Sequence, residues 1–246
     1  MPTSNNRNIN VIILIAGRGY RLKKVTTNPK CLLKIQNKTL INRILDQISL
    51  FERKVGKIIV VTGYKSEKVQ EHISTHRLFP LCHVVVNPNY ELGSIISLDL
   101  TKKMINKYNL ILDGDVLCES SLISLIFNAP QENLILIDPK SENTGEEILV
   151  GASENRVLSV KRGLRGKFTN YGESIGFMKL NRSSLLEFFS IIDRKLSSGL
   201  NNIGYEDILD DLVQFIEMGF VSVEDKIWIE IDSPEDYKKA CRLNIN

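Results

Sequence analysis

A loop rich in glycine and basic side chains follows the first apolar run of the chain, where residues 11–33 read VIILIAGRGYRLKKVTTNPKCLL. Glycines allow the backbone to come close enough for its amide N–H groups to bind phosphate oxygens. Arg18 and Arg21 add charge-assisted donors, and Arg21 is the stronger candidate because it follows the second glycine by two residues. Lys30, which Pro29 holds in place, would direct a point charge at a phosphoryl oxygen. The loop therefore predicts a site that binds an anion such as phosphate.

This loop differs from the two commonest phosphate-binding loops. A dinucleotide-binding fingerprint requires a third glycine, but Leu22 occupies that position, and the next predicted strand does not end in the expected acid. A P-loop requires glycine and lysine followed by serine or threonine, which this stretch lacks. For the glycines alone, a tight turn with solvated arginines is an equally good interpretation. The presence of Arg21 and Lys30 on the same loop favours the anion site.

Three carboxylates follow predicted strands. Asp113 and Asp115 end the stretch LILDGD, and Asp232 ends the stretch WIEID. Ligands of open α/β sheets bind in the crevice outside the carboxyl ends of the strands, where Asp115 and Asp232 would both project. The alternatives are that Asp115 caps the helix predicted from residue 120 and that Asp232 complements the amino end of the last helix.

Alternating strands and helices are predicted to position these residues. Short β-branched runs predict strands at 9–15, 57–63, 82–87, 109–115 and 133–138. Apolar residues at helical spacing predict helices at 38–51, with Thr39 as N-cap, and at 66–76, 94–106 and 120–128. This alternation predicts βαβ units, and therefore an α/β fold with a mostly parallel mixed sheet and helices on both faces.

The pattern changes after about residue 140. It predicts a hairpin at 146–163 with its turn at 153–155, a strand at 172–180 and a helix at 182–197. It then predicts an amphipathic helix at 205–219 that Gly219 ends, a strand at 226–232, and a last helix with Ser233 as cap and Pro234 at its first position. Because the sequence contains no linker, residues 9–246 are predicted to form a single domain after a flexible tail of residues 1–8.

Composition excludes several classes of protein. The 246 residues carry a net charge of +3, which is too small for a dedicated nucleic-acid binder. The longest apolar run, VIILIA, is too short to span a bilayer, and the polar first ten residues do not resemble a signal peptide. Four cysteines without metal-ligand spacing are typical of reduced thiols in a cytosolic protein. We expect a cytoplasmic protein without a nucleic-acid or membrane partner, and the sequence is compatible with a homodimer.

Residues 14–41, LIAGRGYRLKKVTTNPKCLLKIQNKTLI, resemble the signature of the nucleotidyltransferases that join an NTP to a small phosphate. GYKSEKV after the second predicted strand, DGD at 113–115 and WIEIDSPEDY fall where that family has its other motifs. The chain departs from the family at Ile15, where alanine is usual, and at Asn37, where glycine is usual, but neither change removes a charged group. The resemblance implies the Rossmann-like fold of the nucleotide-diphospho-sugar transferases.

The resemblance also implies a reaction and a division of roles. Residues 9–140 would bind the NTP and residues 141–246 the acceptor, whose oxygen attacks the α-phosphorus in line while pyrophosphate leaves. Asp115 and Asp232 would hold Mg²⁺. Such a reaction needs no protein nucleophile, which agrees with three histidines that lie outside the motifs. The implied catalytic residues are Arg21, Lys30 and Lys161. The residues implied to bind the nucleotide are Leu14, Ala16, Gly17, Arg18, Gly19, Arg21, Lys30, Ser94 and Asp113.

The stretch NPNYELGSIISL at 87–98 resembles the cytidylyltransferases that activate phosphocholine or 2-aminoethylphosphonate, in which Ser94 would contact the pyrimidine. GESIG and YED in the second half match the same branch. Acids there, together with aromatic residues that include Tyr205, would suit a cationic headgroup through ion pairing and cation–π contact. Lys161 would clamp the acceptor phosphate, and a solvated hairpin lysine is the alternative. The residues implied to bind the acceptor are Lys161, Tyr171, Glu173, Glu206, Asp207, Trp228 and Glu230.

The sequence therefore predicts a CTP-dependent cytidylyltransferase that acts on a small phosphorylated or phosphonate amine or alcohol. A sugar-1-phosphate nucleotidyltransferase is an alternative within the same class. A non-catalytic nucleotide-binding regulator on the same fold is an alternative from a different class.

Overall fold

The computed structural model describes residues 7–141 and 145–245. The first six residues of the predicted flexible tail lie outside the described residues. Asn8, at the end of that tail, is bound to the sheet, because its carbonyl oxygen accepts a hydrogen bond from the Tyr108 backbone N–H at 2.9 Å.

Strands and α-helices alternate along the described chain. The strands are β1 Ile9–Leu14, β2 Lys34–Ile35, β3 Lys38–Thr39, β4 Val55–Thr62, β5 Cys82–Val86, β6 Tyr108–Asp113, β7 Val116–Cys118, β8 Leu134–Asp138, β9 Ile148–Ser153, β10 Arg156–Arg162, β11 Asn170–Asn181, β12 Gly219–Ser222 and β13 Trp228–Glu230. The helices are α1 Leu40–Ser49, α2 Ser66–Ser74, α3 Ser94–Asp99, α4 Ser120–Asn128, α5 Arg182–Ser197, α6 Leu209–Leu212 and α7 Pro234–Ala240. Short 3₁₀ turns lie at Tyr20–Leu22, Lys30–Leu32, Glu52–Lys54, Phe79–Leu81 and Glu206–Ile208.

Nine strands within the described ranges form one mixed sheet in the order β10-β9-β11-β6-β1-β4-β5, with β8 against β11 and β12 against β8. Strands β6, β1, β4 and β5 run parallel to one another. Strand β11 pairs antiparallel with β6, β8 and β9, and it therefore joins the second half of the chain to the first. The predicted α/β fold with a mixed sheet is confirmed, and its parallel strands lie mainly in the first half.

The central strands are apolar on both faces because helices cover the sheet from both sides. Val11, Ile12 and Ile13 of β1 are completely buried, as is typical of a parallel strand at the centre of such a sheet. Helices α1, α2 and α4 pack on one face, and helices α3, α5 and α6 pack on the other. The carboxyl ends of β1, β4 and β6 consequently meet at one edge, where ligands of α/β sheets bind.

A third, smaller apolar cluster packs the chain around residues 229–245 against the glycine loop. Leu22 from the loop, Leu117 from β7 and Ile231 after β13 are buried in it, together with Ala240 and Ile245. Burying one such side chain fully stabilises a protein by about 1.5–3 kcal/mol. The cluster therefore fixes the loop beside the β7–β13 strand pair.

Most predicted elements form, and α4 and α5 have the predicted bounds. Ser233 caps α7 in a capping box with Asp236, as its sequence predicts. The helix predicted at 94–106 ends at Asp99, because the Thr101 N–H and hydroxyl both bond to the Leu98 carbonyl oxygen and close a tighter turn.

The helix predicted at 205–219 was wrong over most of its length. Only a 3₁₀ turn and the single turn of α6 form, and Gly219 begins β12 instead of ending a helix. Strand β12 pairs parallel with β8, and this pairing supplies the hydrogen bonds that its backbone groups require.

No helix in residues 7–141 and 145–245 is long and apolar enough to cross a bilayer. The four thiols are unpaired, as predicted, with Cys31 and Cys118 buried and Cys241 exposed. Burial, and then the negative charge of Glu119, raises the pKa of Cys118 to about 12, so this thiol is inert at neutral pH.

Gly93→Ala is expected to lower the free energy of unfolding by about 3 kcal/mol. A Cβ at Gly93 would overlap the backbone oxygen of Ile203, and backbone cannot move aside as a flexible side chain can. Urea denaturation measures the loss. Gly17→Ala is the matched control, because its Cβ would meet no heavy atom within 4 Å. Equal midpoints for the two variants would contradict the close packing at Gly93.

Candidate active site

The glycine loop leaves β1 with an open backbone. Gly17 has no heavy atom within 4 Å of the position that a Cβ would take. Gly19 has a φ of 66°, which glycine adopts without strain, and a Cβ there would lie 3.3 Å from the Cβ of Lys30. Gly19 therefore lets the Lys30 side chain pass close beside the loop. A small cavity of about 80 Å³ is lined by Leu14, Ile15, Gly17, Gly19, Lys30, Cys31, Gly114 and Asp115.

The two arginines of the loop have different positions. Arg18 is exposed, and its guanidinium lies 4.7 Å from the ring centroid of Tyr20 and 5.1 Å from that of Tyr64. Ala16 is buried, and its carbonyl oxygen accepts a hydrogen bond from the Tyr64 N–H at 3.0 Å. Arg21 instead forms an ion pair with Asp232. Arg21 is thus the arginine that reaches the acids, in agreement with its preferred role in the sequence prediction.

Pairing of β7 with β13 brings Asp115 and Asp232 together. The two strands are antiparallel, with Glu230 opposite Val116, and the Ile231 N–H donates to the Asp115 carbonyl oxygen at 3.1 Å. Because Asp115 directly precedes one strand and Asp232 follows the other, antiparallel pairing places both side chains at the same end. Both predicted metal ligands therefore lie in one place.

The ammonium group of Lys30 lies between these two aspartates. Its Nζ is 2.7 Å from Asp115 Oδ2 and forms a second ion pair with Asp232, and only 12% of the side chain is exposed. Burial acts to lower the pKa of Lys30, but the charges of Asp115 and Asp232 outweigh it and raise the pKa. Burial acts to raise the pKa of Asp232, but Lys30 and Arg21 overcome it and lower the pKa. Lys30 and Asp232 are therefore both charged at neutral pH.

A third carboxylate, that of Glu230, lies beside this pair. Asp115, Glu230 and Asp232 each offer an oxygen within 4.8 Å of the others. Loss of solvation around the carboxylate, followed by the charges of Asp115 and Asp232, raises the pKa of Glu230 to about 8. Asp115 Oδ1 is buried and has no hydrogen-bond partner in the described part of the chain. An unsatisfied carboxylate oxygen beside two other acids suits a divalent cation, so these three residues could hold a metal ion.

A cavity of about 610 Å³ opens next to the three carboxylates. The acids that line it are Asp113, Asp138, Glu146, Glu147, Glu173, Glu206, Glu230, Asp232 and Asp236. Among the described residues, the basic side chains that line it are Arg21, Arg162 and Lys239. Trp228 forms an aromatic wall, and its indole N–H donates to Asp138 Oδ2 at 2.8 Å. The lining of the cavity is therefore strongly negative.

Four of the seven residues predicted to bind the acceptor line this cavity, namely Glu173, Glu206, Trp228 and Glu230. Burial raises the pKa of Glu173, although a hydrogen bond from Ser141 opposes the rise. Burial, and then the neighbouring charge of Asp207, raises the pKa of Glu206 to about 7. Both acids are half-buried, so a cation in the cavity would meet poorly solvated carboxylates.

The other three predicted acceptor residues lie outside the cavity lining. Tyr171 bonds through its hydroxyl to a backbone carbonyl, and Asp207 is 3.5 Å from Arg162. Lys161 Nζ is 3.3 Å from Asp210 Oδ2. Arg162, the next residue on β10, lines the cavity instead, because successive strand residues project to opposite faces. The alternation is readable in the sequence, but which of the two residues faces the cavity depends on the register of β10.

Asp113, a half-buried residue of the cavity wall, pairs with the buried Tyr205. Asp113 ends β6, and its Oδ2 accepts a hydrogen bond from the Tyr205 hydroxyl at 2.9 Å. Burial, followed by the charge of Glu206, raises the pKa of Asp113 well above its usual range. Tyr205 is completely buried, so its ring cannot contact a headgroup as the sequence suggested. It supports the wall from behind.

A glycine loop, two cations that face clustered carboxylates and an adjoining cavity lie together on one mixed α/β sheet. These features define a domain that is suited to bind phosphorylated ligands. Residues 11–166 match the family described as the MobA-like NTP transferase domain. The chain belongs to this family.

The chain is similar in sequence or in structure to several known proteins. It is 25% identical to the bifunctional protein GlmU of Methanococcus maripaludis (strain C5) over 234 residues, which cover 94% of this chain and 53% of the relative. The chain thus spans about half the length of the curated relatives it matches first. The structure is similar to the inositol-1-phosphate CTP transferase from T. maritima, with a TM-score of 0.76, 19% identity and coverage of 98% of both chains. It is also similar to CTP:phosphocholine cytidylyltransferase from Streptococcus pneumoniae, with a TM-score of 0.74, 22% identity and coverage of 95% and 98%. These structures confirm the predicted fold.

Asp232→Asn is expected to weaken the binding of Mg²⁺ at least about tenfold, because a neutral amide replaces one of the three carboxylates. Titration calorimetry on the protein without nucleotide measures the affinity. Asp225→Asn is the control, because Asp225 is 87% exposed and lies outside the acidic group. Equal Mg²⁺ affinities for the two variants would refute the assignment of Asp232 as a ligand.

Proposed function

We propose that the protein is a CTP-dependent cytidylyltransferase that acts on a small phosphorylated or phosphonate amine. The observation that carries the proposal is the acid-lined cavity next to the Lys30 site. Carboxylates such as Glu173 and Glu206 would pair with an ammonium group, whereas a neutral sugar would leave them without a counter-charge. The products would be a CDP- or CMP-linked headgroup and pyrophosphate.

Arg21 and Lys30 are suited to grip the triphosphate. In the free protein their charges are matched by Asp115 and Asp232. A triphosphate over the glycine loop would accept hydrogen bonds from both cations and free the carboxylates. Bound Mg²⁺ at Asp115, Glu230 and Asp232 would supply further neutralisation of phosphate charge. The acceptor oxygen is already ionised, so positioning and charge neutralisation suffice for in-line attack on the α-phosphorus.

The larger cavity suits an acceptor with charges of opposite sign at its two ends. Glu173 and Glu206 would receive the ammonium end, and the indole of Trp228 would add a cation–π contact. Arg162 would bind the phosphate end, since it lines the cavity and its Nε lies as far as 3.5 Å from Oδ1 of its partner Asp207.

Two considerations support CTP as the nucleotide. Residues 87–98 resemble the corresponding stretch of small-headgroup cytidylyltransferases. Two proteins with similar structures are a CTP transferase and a CTP-using cytidylyltransferase by name. The phosphate-binding residues themselves would accept any NTP.

The direct test is pyrophosphate release by the full chain with four NTPs, each combined with phosphocholine, phosphoethanolamine, 2-aminoethylphosphonate and hexose-1-phosphates. We expect turnover with CTP and one of the amine-containing acceptors. Turnover only with a sugar phosphate would refute the proposed acceptor class. Nucleotide binding without turnover of any acceptor would instead indicate a non-catalytic regulator.

Arg162→Ala is expected to raise KM for the acceptor about tenfold or more, because it removes a charge-assisted contact to phosphate. Lys161→Ala is the matched control on the same strand, and its effect should stay within about twofold, since Lys161 pairs with Asp210. Steady-state kinetics with saturating CTP compare the two. A larger rise in KM for Lys161→Ala than for Arg162→Ala would show that Lys161, the residue that the sequence first indicated, contacts the phosphate.

A further inference from the structure

The hydroxyl of Ser94 is already engaged within the protein. Ser94 is the first residue of α3 and lies in the stretch 87–98 that was expected to contact the base. Its Oγ accepts a hydrogen bond from the Tyr205 N–H at 3.0 Å and donates to Glu206 Oε2 at 3.3 Å. A serine hydroxyl has one hydrogen to donate. Because Glu206 receives it, Ser94 has no donor left for a nucleobase.

The start of α3 and the segment 201–207 are held together as one unit. The Gly93 N–H donates to the Asn201 carbonyl oxygen at 3.0 Å, and the Ile95 N–H donates to the Ile203 carbonyl oxygen at 3.4 Å. The absence of a side chain at Gly93 permits this approach, because a Cβ there would overlap Ile203. The distance between Ser94 and the following segment is therefore set by backbone contacts on both sides of the serine.

Segment 201–207 reaches from α3 to the wall of the large cavity. Tyr205 is completely buried and anchors the segment to Asp113 through its hydroxyl. Glu206, the next residue, lines the cavity together with Asp113. The Ser94 hydroxyl thus bonds to the two residues that place a carboxylate in this wall.

We propose that Ser94 is a positioning residue for the acceptor: its hydroxyl orients the Glu206 carboxylate that receives the cationic headgroup. This inference rests on the proposed function for the identity of the acceptor. It also makes α3 a connection between the loop at 87–93 and the acceptor wall. Ser94 therefore determines the affinity for the acceptor, not the choice of base.

Kinetics of Ser94→Ala test this role. We expect KM for the amine acceptor to rise about tenfold, as for loss of a hydrogen bond to a charged group, and KM for CTP to change less than about twofold. Ser94→Thr keeps the hydroxyl and should restore most of the acceptor affinity. Ser124→Ala is the control, because the Ser124 hydroxyl bonds within α4 to the Ser120 carbonyl oxygen. A selective rise in KM for CTP, or a changed NTP preference, would overturn the proposal.

A double-mutant cycle tests whether Ser94 acts through Glu206. Glu206→Gln alone should also raise KM for the amine acceptor, and adding Ser94→Ala to it should cause no further rise beyond about twofold. Fully multiplicative effects would show that the two residues act independently and would overturn the proposal.

Calorimetry separates this inference from the proposed function. If the wild-type protein turns over no amine acceptor, the proposed function fails, but its affinity for CTP can still be compared with that of Ser94→Ala. Equal CTP affinities would support the assignment of the hydroxyl to Glu206. A loss of about tenfold in CTP affinity would show that Ser94 contacts the nucleotide and would overturn it.

Discussion

The ammonium group of Lys30 is the interaction around which the candidate site is organised. The Lys30 side chain passes beside Gly19 and is largely buried. It pairs with Asp115 and with Asp232, which lies 202 residues after Lys30 in the chain. A charge in such a place is costly unless it is paired. The two aspartates meet this requirement, and Arg21 in turn matches part of their excess negative charge. The site is therefore organised before any ligand binds.

The architecture explains how residues so far apart in sequence reach this position. Parallel strands β1 and β6 bring the glycine loop and Asp115 to one edge of the sheet. The change to antiparallel pairing at β11 then carries the second half of the chain across the same edge. The short β7–β13 pair and the apolar cluster around Leu22 and Ile231 bring the last acid into place. The boundary between the parallel and the antiparallel strands is where the cavity lies.

The sequence predicted the parallel half of the fold well because its strands are long, apolar and separated by helices with clear periodicity. It also identified Lys30, Asp115 and Asp232 as candidate site residues, because each follows a recognisable strand or motif. The structure brings the three together. Strands β2, β3 and β7 have only two or three residues, which is too short for a period to appear. Strand β12 was missed because it has only four residues, and its pairing with β8 is a tertiary contact that the local pattern does not show.

The individual roles of acceptor residues were harder to predict, for a physical reason. Whether Lys161 or Arg162 faces the cavity depends on the register of β10, and a shift of one residue exchanges the two faces. Tyr205 was expected beside a ligand, but only the fold reveals that it packs behind Asp113. Ser94 was predicted to contact the base, and in the structure its hydroxyl donates to Glu206. The sequence indicates which residues lie near the site. Only the packing of the fold determines which of their side-chain atoms are available to a ligand.

The pairing of β7 with β13 has a consequence for how the protein is made. During synthesis, the glycine loop, Asp115 and all strands through β11 leave the ribosome before Asp232 is added to the chain. A nascent chain of about 200 residues therefore contains most of the sheet, but its Lys30 has one of its two anionic partners and β7 has no partner strand. The set of carboxylates that could hold a metal ion is completed only by the final segment. Partly synthesised chains consequently carry the glycine loop with Arg21 and Lys30, but without the complete set of acids beside them.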